Sequence, residues 1–264
     1  TDFIGVFMEI LYLILFFVYG TIFGSFYNVV GLRLANNGSI FKPKHSYCPN
    51  CGNRIKAIHM IPVLSYFFLG GKCKNCKEKI SIIYPFIEFL TGILFALSYY
   101  SFGFTPELII ALSLVSLFTI IIVSDISYYI IPDEVLIFFG IIILITNFFI
   151  YGFPGGFIQI GYGILMFGIM YLIMLLGNFL FKTESLGGGD VKLMFIIGLA
   201  LNNPILGVLV IFLSSVLALP VSATIYAVNK NRVIPFGPFI VLALLIIYFM
   251  KIDVTSLLYL FRVF

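Results

Sequence analysis

Long apolar runs separated by short polar breaks make up most of this chain. They fall at about Phe3–Leu32, Ile82–Tyr100, Glu107–Val123, Val135–Tyr151, Phe157–Phe181, Val191–Leu201, Ile205–Val228 and Phe236–Met250. A bilayer-crossing helix needs roughly 20 apolar residues. The pattern therefore predicts an all-α polytopic membrane protein with about eight transmembrane helices. Turn-forming residues mark the breaks: Gly103 and Pro106, Pro132-Asp133, Gly152 to Gly156, Gly187 to Gly189, Asn202-Asn203-Pro204, and Pro235 to Pro238. The sixth run is short, reaching only about 16 Å at 1.5 Å per residue. Its N-terminal end is expected to sit below the membrane surface. Residues Ile252–Phe264 are too few to span again and are expected to extend the last helix or lie in the interface.

One long polar segment interrupts the pattern. It divides the chain into a first transmembrane helix (1–32), a four-cysteine loop (33–81) and a transmembrane core (82–264). The loop is basic, with Arg33, Lys42, Lys44, Arg54, Lys56, Lys72, Lys74, Lys77 and Lys79 against Glu78 alone. Cytoplasmic loops of this length carry excess Lys and Arg. The loop is therefore placed in the cytoplasm, and the N-terminus outside. The breaks after the third, fifth and seventh runs then share its side. They hold Asp125, Asp133 and Glu134; Lys182, Glu184, Asp190 and Lys192; and Lys230 and Arg232. The opposite breaks carry almost no charge besides Glu107, although Lys251 and Arg262 would fall outside. The basic face is expected to serve topology and attraction to anionic lipid rather than nucleic acid.

Composition agrees with a membrane protein: 62% of the 264 residues are hydrophobic and 10% charged, where soluble domains are about half apolar. The first residue is Thr, so the original start is expected to have been removed. No cleavable signal is expected, because the first apolar run is itself long enough to span.

All four cysteines lie in the basic loop, as Cys48-Pro49-Asn50-Cys51 and Cys73-Lys74-Asn75-Cys76, with 21 residues between the pairs. Two such knuckles close a tetrahedral zinc site. Disulfides or free thiols are the alternative, and a reducing cytosol disfavours the disulfides. With four thiolates available, His45 and His59 are expected to be bystanders. The site is expected to be structural, with the metal supplying much of the loop's folding energy.

The stretch Leu186-Gly-Gly-Gly-Asp-Val-Lys-Leu-Met194 places a carboxylate at the mouth of a membrane helix. Asp190 is either an N-cap or a functional group, with the glycines allowing unusual dihedrals and close backbone approach. Asp125 ends the third run on the same side. Two aspartates within a few ångströms cannot both ionise, so one holds a shared proton. The ionised one can take a proton from water while the other polarises a carbonyl. Asp133 and Glu134 read as N-cap and first-turn acids. Glu184 is expected to be solvated, and Glu88, about one turn into the second run, to pair with a cation or face water. Asn28 is either interhelical glue or part of a site.

These residues resemble the type IV prepilin peptidases, membrane aspartic proteases of the GxGD class. The matching set runs over about 215 residues. It comprises Gly24-Ser25-Phe26 with Asn28-Val29-Val30 and Arg33; both C-x2-C pairs; Ile61-Pro62-Val63-Leu64-Ser65-Tyr66; and Gly70-Gly71-Lys72-Cys73. It continues with Tyr84-Pro85, Glu88 and Leu90-Thr91-Gly92; Asp125 with Ile131-Pro132-Asp133; Gly187 to Asp190 with Lys192; and Ile234-Pro235-Phe236-Gly237-Pro238. The resemblance implies cleavage of the basic leader from type IV prepilin or pseudopilin precursors at the cytoplasmic face of the inner membrane, with Asp125 and Asp190 as the catalytic pair. The cysteine loop implies a bifunctional member that then methylates the new N-terminus with S-adenosylmethionine. For the methyl donor the candidates are Gly24, Asn28 and Glu88. Two readings from other classes are an ion-carrying transporter and a non-catalytic secretion assembly factor, each with the zinc loop as a docking module.

Overall fold

The computed structural model describes residues 3–36, 38–43, 45–183, 186–229 and 234–254. Lys44, Glu184, Lys230, Arg232 and Arg262, five of the charges used to assign sides, lie outside the described residues. The helices are α1 (Phe3–Ala35), α2 (Leu64–Phe68), α3 (Ile83–Phe102), α4 (Pro106–Tyr128), α5 (Asp133–Phe181), α6 (Gly188–Ala200), α7 (Pro204–Asn229) and α8 (Gly237–Phe249), with a 3-10 turn at Ala57–Met60. Every one of the eight apolar runs is helical; α5 holds two of them, and α2 comes from the polar loop. Five helices are long and apolar enough to cross a bilayer: α1, α3, α4, α5 and α7. The chain is a membrane protein. Helices α6 and α8 have 13 residues each, about 20 Å of rise against the roughly 30 Å of bilayer hydrocarbon.

The chain forms two compact units, Thr1–Phe104 and Thr105–Phe264. In the first, α1 and α3 run antiparallel. Their backbones touch, which small residues allow. A Cβ on Gly20 would lie 2.8 Å from the Gly92 Cα, and one on Gly24 would lie 2.9 Å from the Glu88 Cα. Away from the cysteine loop the pair is closed by rings: Phe16 stacks on Tyr99 at 4.8 Å and Tyr12 meets Phe104 edge-on at 5.0 Å. The cysteine segment and α2 lie between these helices in sequence.

In the second unit, α4 is the most enclosed of the long helices, buried from Ser113 to Ile121 without interruption. Helix α8 runs antiparallel to it. The Gly237 N–H bonds the Asp125 side chain at one end, and the Tyr248 hydroxyl donates to the Glu107 carbonyl at the other.

The fourth and fifth runs share α5, and only Gly152 leaves helical geometry, at φ 66° and ψ −177°. The broad Gly152–Gly156 turn expected from sequence is thus confined to one residue that needs glycine. Even so, α5 is a hairpin. Phe148 and Phe157 have ring centroids 5.5 Å apart, whereas nine residues of straight helix rise about 13 Å. Helix α6 lies against both limbs. It runs parallel to 133–151, where Asn147 donates to the Leu199 carbonyl at 2.7 Å. It runs antiparallel to 153–181, where a Cβ on Gly198 would sit 2.5 Å from the Tyr162 carbonyl oxygen. Apolar nearly all round, α6 is buried on most of its surface.

Candidate functional site

Asp125 and Asp190 come together in the second unit. Asp125 lies in the last turn of α4 and Asp190 in the first turn of α6, 6% and 8% exposed. They lie within electrostatic range of one another. The Asp125 Oδ2 accepts the Gly237 N–H at 3.1 Å, so it caps the start of α8, whose positive dipole end favours an anion. Asp190 lies in the first turn of its own helix α6, where the dipole likewise favours an anion. It is not the N-cap: Gly187 holds that position, and the Asp190 N–H donates to the Gly187 carbonyl at 3.2 Å.

Ile131 is the wedge between the two helix starts. A Cβ on Gly189 would lie 3.0 Å from the Ile131 Cβ, and one on Gly237 would lie 2.9 Å from its Cδ1 and 3.0 Å from the Asp125 Oδ2. Close approach explains glycine at these two positions. Unusual dihedrals do not: none of Gly187, Gly188 and Gly189 has positive φ. Position 188 has open space and position 187 only an ordinary contact. Beside the pair, the Lys192 Nζ bridges both oxygens of Asp133 at 2.8 and 2.6 Å. Asp133 therefore tethers α6 to the start of α5 and is not an N-cap, a position held by Pro132.

The four cysteine sulfurs lie within 4.8 Å of one another, with Cys48 and Cys76 3.8 Å apart, and all four are free thiols. A tetrahedral zinc with bonds of about 2.3 Å separates its sulfurs by about 3.8 Å, so the residues fit a structural metal.

The two knuckles repeat each other at an offset of 25 residues. The Cys48 N–H donates to Asn53 and the Gly52 N–H to Cys48, while the Cys73 N–H donates to Glu78 and the Lys77 N–H to Cys73. Tyr47 pairs with Arg54 as Lys72 pairs with Lys79. The backbone N–H groups of Cys76 and Asn75 pull the Cys73 thiol down to about 6. Sulfurs this close repel once ionised, and a cation relieves that.

Both knuckles end in left-handed backbone, at Gly52 (φ 66°) and Lys77 (φ 61°). A non-glycine residue there costs about 1 kcal/mol. Lys77→Gly is expected to tighten zinc binding of the purified protein several-fold in a chelator competition, whereas Lys77→Ala, equally uncharged but still strained, is not. Equal affinities for the two variants would contradict the strain.

In the first unit, Asn28 is 4% exposed and its Nδ2 donates to the Tyr84 carbonyl at 3.4 Å, joining α1 to α3. Its Oδ1 has no partner among the described residues. The Glu88 carboxylate accepts the Val63 N–H at 2.7 Å and the Ser25 hydroxyl. Among the described residues no cation pairs with it. Gly24 sits under it, held to glycine by the helix crossing. Sequence reasoning missed Gly237 and Val63, whose backbone N–H groups bond these acids, and Ile131, whose side chain packs against Gly189 and Gly237. A backbone N–H or an aliphatic contact leaves no chemical signature in the sequence.

A buried two-carboxylate site in a helical membrane unit, preceded by a unit carrying a four-thiol cluster, defines the class of protein. The comparisons give the family. The bacterial Peptidase A24 N-terminal domain matches residues 18–102 and the type IV leader peptidase family matches residues 112–223. The boundary between the two falls where the two structural units divide. The prepilin leader peptidase/N-methyltransferase of Bacillus subtilis is 32% identical over 236 residues, covering 88% of this chain and 92% of its own. Its namesake in Neisseria gonorrhoeae is 33% identical, covering 84% of each chain. That of Vibrio cholerae is 30% identical, covering 92% and 98%. No solved structure matches the chain. The chain belongs to the type IV leader peptidase family.

Proposed function

We propose that this protein is a prepilin leader peptidase that also N-methylates its product, with Asp125 and Asp190 as the catalytic pair. The observation that carries the peptidase reading is the burial of both carboxylates, from separate helices, within electrostatic range of each other. Such a pair holds one shared proton. The ionised carboxylate takes a proton from water as the water oxygen bonds to the scissile carbonyl carbon, and the other carboxyl protonates the carbonyl oxygen. The tetrahedral species then collapses: the C–N bond breaks, the departing nitrogen takes the proton that came from water, and one hydroxyl of the carbonyl carbon returns its proton to the other carboxylate. The Gly237 N–H and the starts of α6 and α8 hold the carboxylates in place through these changes of charge.

Each of the eight apolar runs crosses the membrane in this reading, with α6 and α8 shielded by their neighbours. The pair then faces the cytoplasm, as does the cysteine segment, in the cell's inner membrane. The substrate is a prepilin or pseudopilin precursor with a basic leader. Cys48, Cys51, Cys73 and Cys76 hold a structural zinc ion. S-adenosylmethionine supplies an electrophilic methyl group, and Gly24, Asn28 and Glu88 are the residues proposed to serve it; the unpartnered Asn28 Oδ1 is the feature that fits a polar ligand.

A basic loop does not attract a basic leader. Its lysines act on anionic lipid, with Phe67 and Phe68, 72% and 85% exposed, as interfacial anchors. The test of the peptidase reading is cleavage of a precursor in membranes. Wild type should process it, and Asn at either position 125 or 190 should leave it uncut.

A further inference from the structure

The Ser25, Asn28 and Glu88 cluster contains acceptors without a matching charge. Asn28 lies three residues after Ser25, on the same face of α1, and Tyr84 lies four before Glu88, on the same face of α3. The Asn28–Tyr84 and Ser25–Glu88 bonds are thus successive rungs of one helix seam. The cluster holds a half-buried carboxylate and an amide oxygen that is 4% exposed as part of Asn28 and bonds to none of the described residues. Among the described residues no cation pairs with Glu88. Buried charges are normally paired, and an acid inside a membrane span marks a ligand or ion path by default.

The loop above is fixed to this carboxylate. Val63 donates its N–H to Glu88 from a γ-turn closed by the Leu64 N–H to the Pro62 carbonyl at 2.6 Å, with φ 61° and ψ −55° at Val63. A β-branched residue rarely adopts that strained conformation. The glycine beneath, Gly24, cannot gain a Cβ without meeting the Glu88 Cα at 2.9 Å, so α1 and α3 are in backbone contact directly below the carboxylate.

We propose that Glu88 and Asn28 bind the ammonium group of a ligand. A carboxylate and an amide oxygen are acceptors only. They select a group that brings N–H donors and a positive charge, and reject anions. The inference rests on the methyl-transfer part of the proposed function, which offers two ammonium groups: the amino-acid end of S-adenosylmethionine and the new N-terminus of the cleaved peptide. Bound at Glu88, the first would anchor the donor; the second would hold the acceptor until it gives a proton to water, its nitrogen then bonding to the methyl carbon as the carbon–sulfur bond breaks and S-adenosylhomocysteine leaves.

Glu88→Gln separates charge from geometry, because the amide oxygen of Gln can still accept the Val63 N–H. Full-length protein in detergent is compared with wild type for binding of S-adenosylhomocysteine by equilibrium dialysis and for the KM of a pre-cleaved peptide, with membrane insertion and bound zinc as folding controls. A tenfold or greater loss of S-adenosylhomocysteine binding assigns the donor's ammonium. Unchanged S-adenosylhomocysteine binding with a tenfold or greater rise in peptide KM assigns the peptide's ammonium. Wild-type values for both overturn the proposal.

Should Glu88→Gln fail to insert, wild-type protein gives the answer. S-adenosylhomocysteine should outcompete its deaminated analogue, or the free-amine peptide its acetylated form. Equal binding within both pairs overturns the proposal. These binding measurements do not depend on Asp125 or Asp190, so a protein that bound the ammonium ligand but cut no precursor would count against the peptidase reading alone.

Discussion

Asp125→Asn and Asp190→Asn are each expected to lower precursor cleavage by about 10³-fold or more, and the double variant is expected to fall little further. Asn is isosteric with Asp, and its side-chain oxygen can still accept the Gly237 N–H that Asp125 receives at 3.1 Å. The fold around α4 and α8 is therefore kept, and only the proton chemistry is lost. In the reading given above, the two carboxyls work on one water and one carbonyl. Removing either leaves the other with no partner for the proton relay, so the effects do not add. Cleavage rates in membranes from cells with equal amounts of inserted protein measure this. Single variants whose losses multiplied in the double variant would mean two independent groups. Substantial activity in Asp190→Asn would remove that residue from the chemistry.

The second large effect is expected at two glycines. Gly237→Ala should reduce cleavage roughly 10- to 100-fold, because displacing a catalytic group by about an ångström costs on that order. The added methyl would lie 2.9 Å from the Ile131 Cδ1, 3.0 Å from the Asp125 Oδ2 and 3.1 Å from the Ile121 Cγ2. Ile131→Val removes the nearest of these atoms and should restore part of the activity of Gly237→Ala. It should not rescue Gly189→Ala, whose methyl would meet the Ile131 Cβ at 3.0 Å, an atom that valine keeps. Gly188→Ala is the control, since no described residue lies within 4 Å of its Cβ position. If the three alanine variants cut equally well, the packing of Ile131 between the starts of α6 and α8 has no bearing on the site.

Much of this was legible in the sequence because it is periodic or local. Bilayer crossing demands long apolar runs, and all eight runs are helical. The spacing of Cys48, Cys51, Cys73 and Cys76 is set by the geometry of a knuckle, and their sulfurs converge. Glycine before Asp190 announced a close approach. It did not say that Gly189 alone of the run needs it, because that depends on Ile131, far away in the chain.

The glycines from 152 to 156 suggest a broader turn than the chain makes. Gly155 and Gly156 stay helical, and a single positive-φ residue suffices to fold α5 back. The position of Asp133 at a helix start suggests a cap, because the first turn of a helix favours acids, but Lys192 in the first turns of α6 claims it. The loop that presents Val63 to Glu88 could not be anticipated. Its strained backbone is held by a partner 25 residues later, and no propensity encodes such a bond.

Removal of the leader from a prepilin-like precursor is read directly by mass spectrometry of the precursor's N-terminus after incubation with wild-type membranes. The expected product begins at the mature N-terminus and is one methyl group heavier when S-adenosylmethionine is supplied. An intact precursor, under conditions where membranes containing the Bacillus subtilis relative process it in parallel, would mean that this chain is not a leader peptidase.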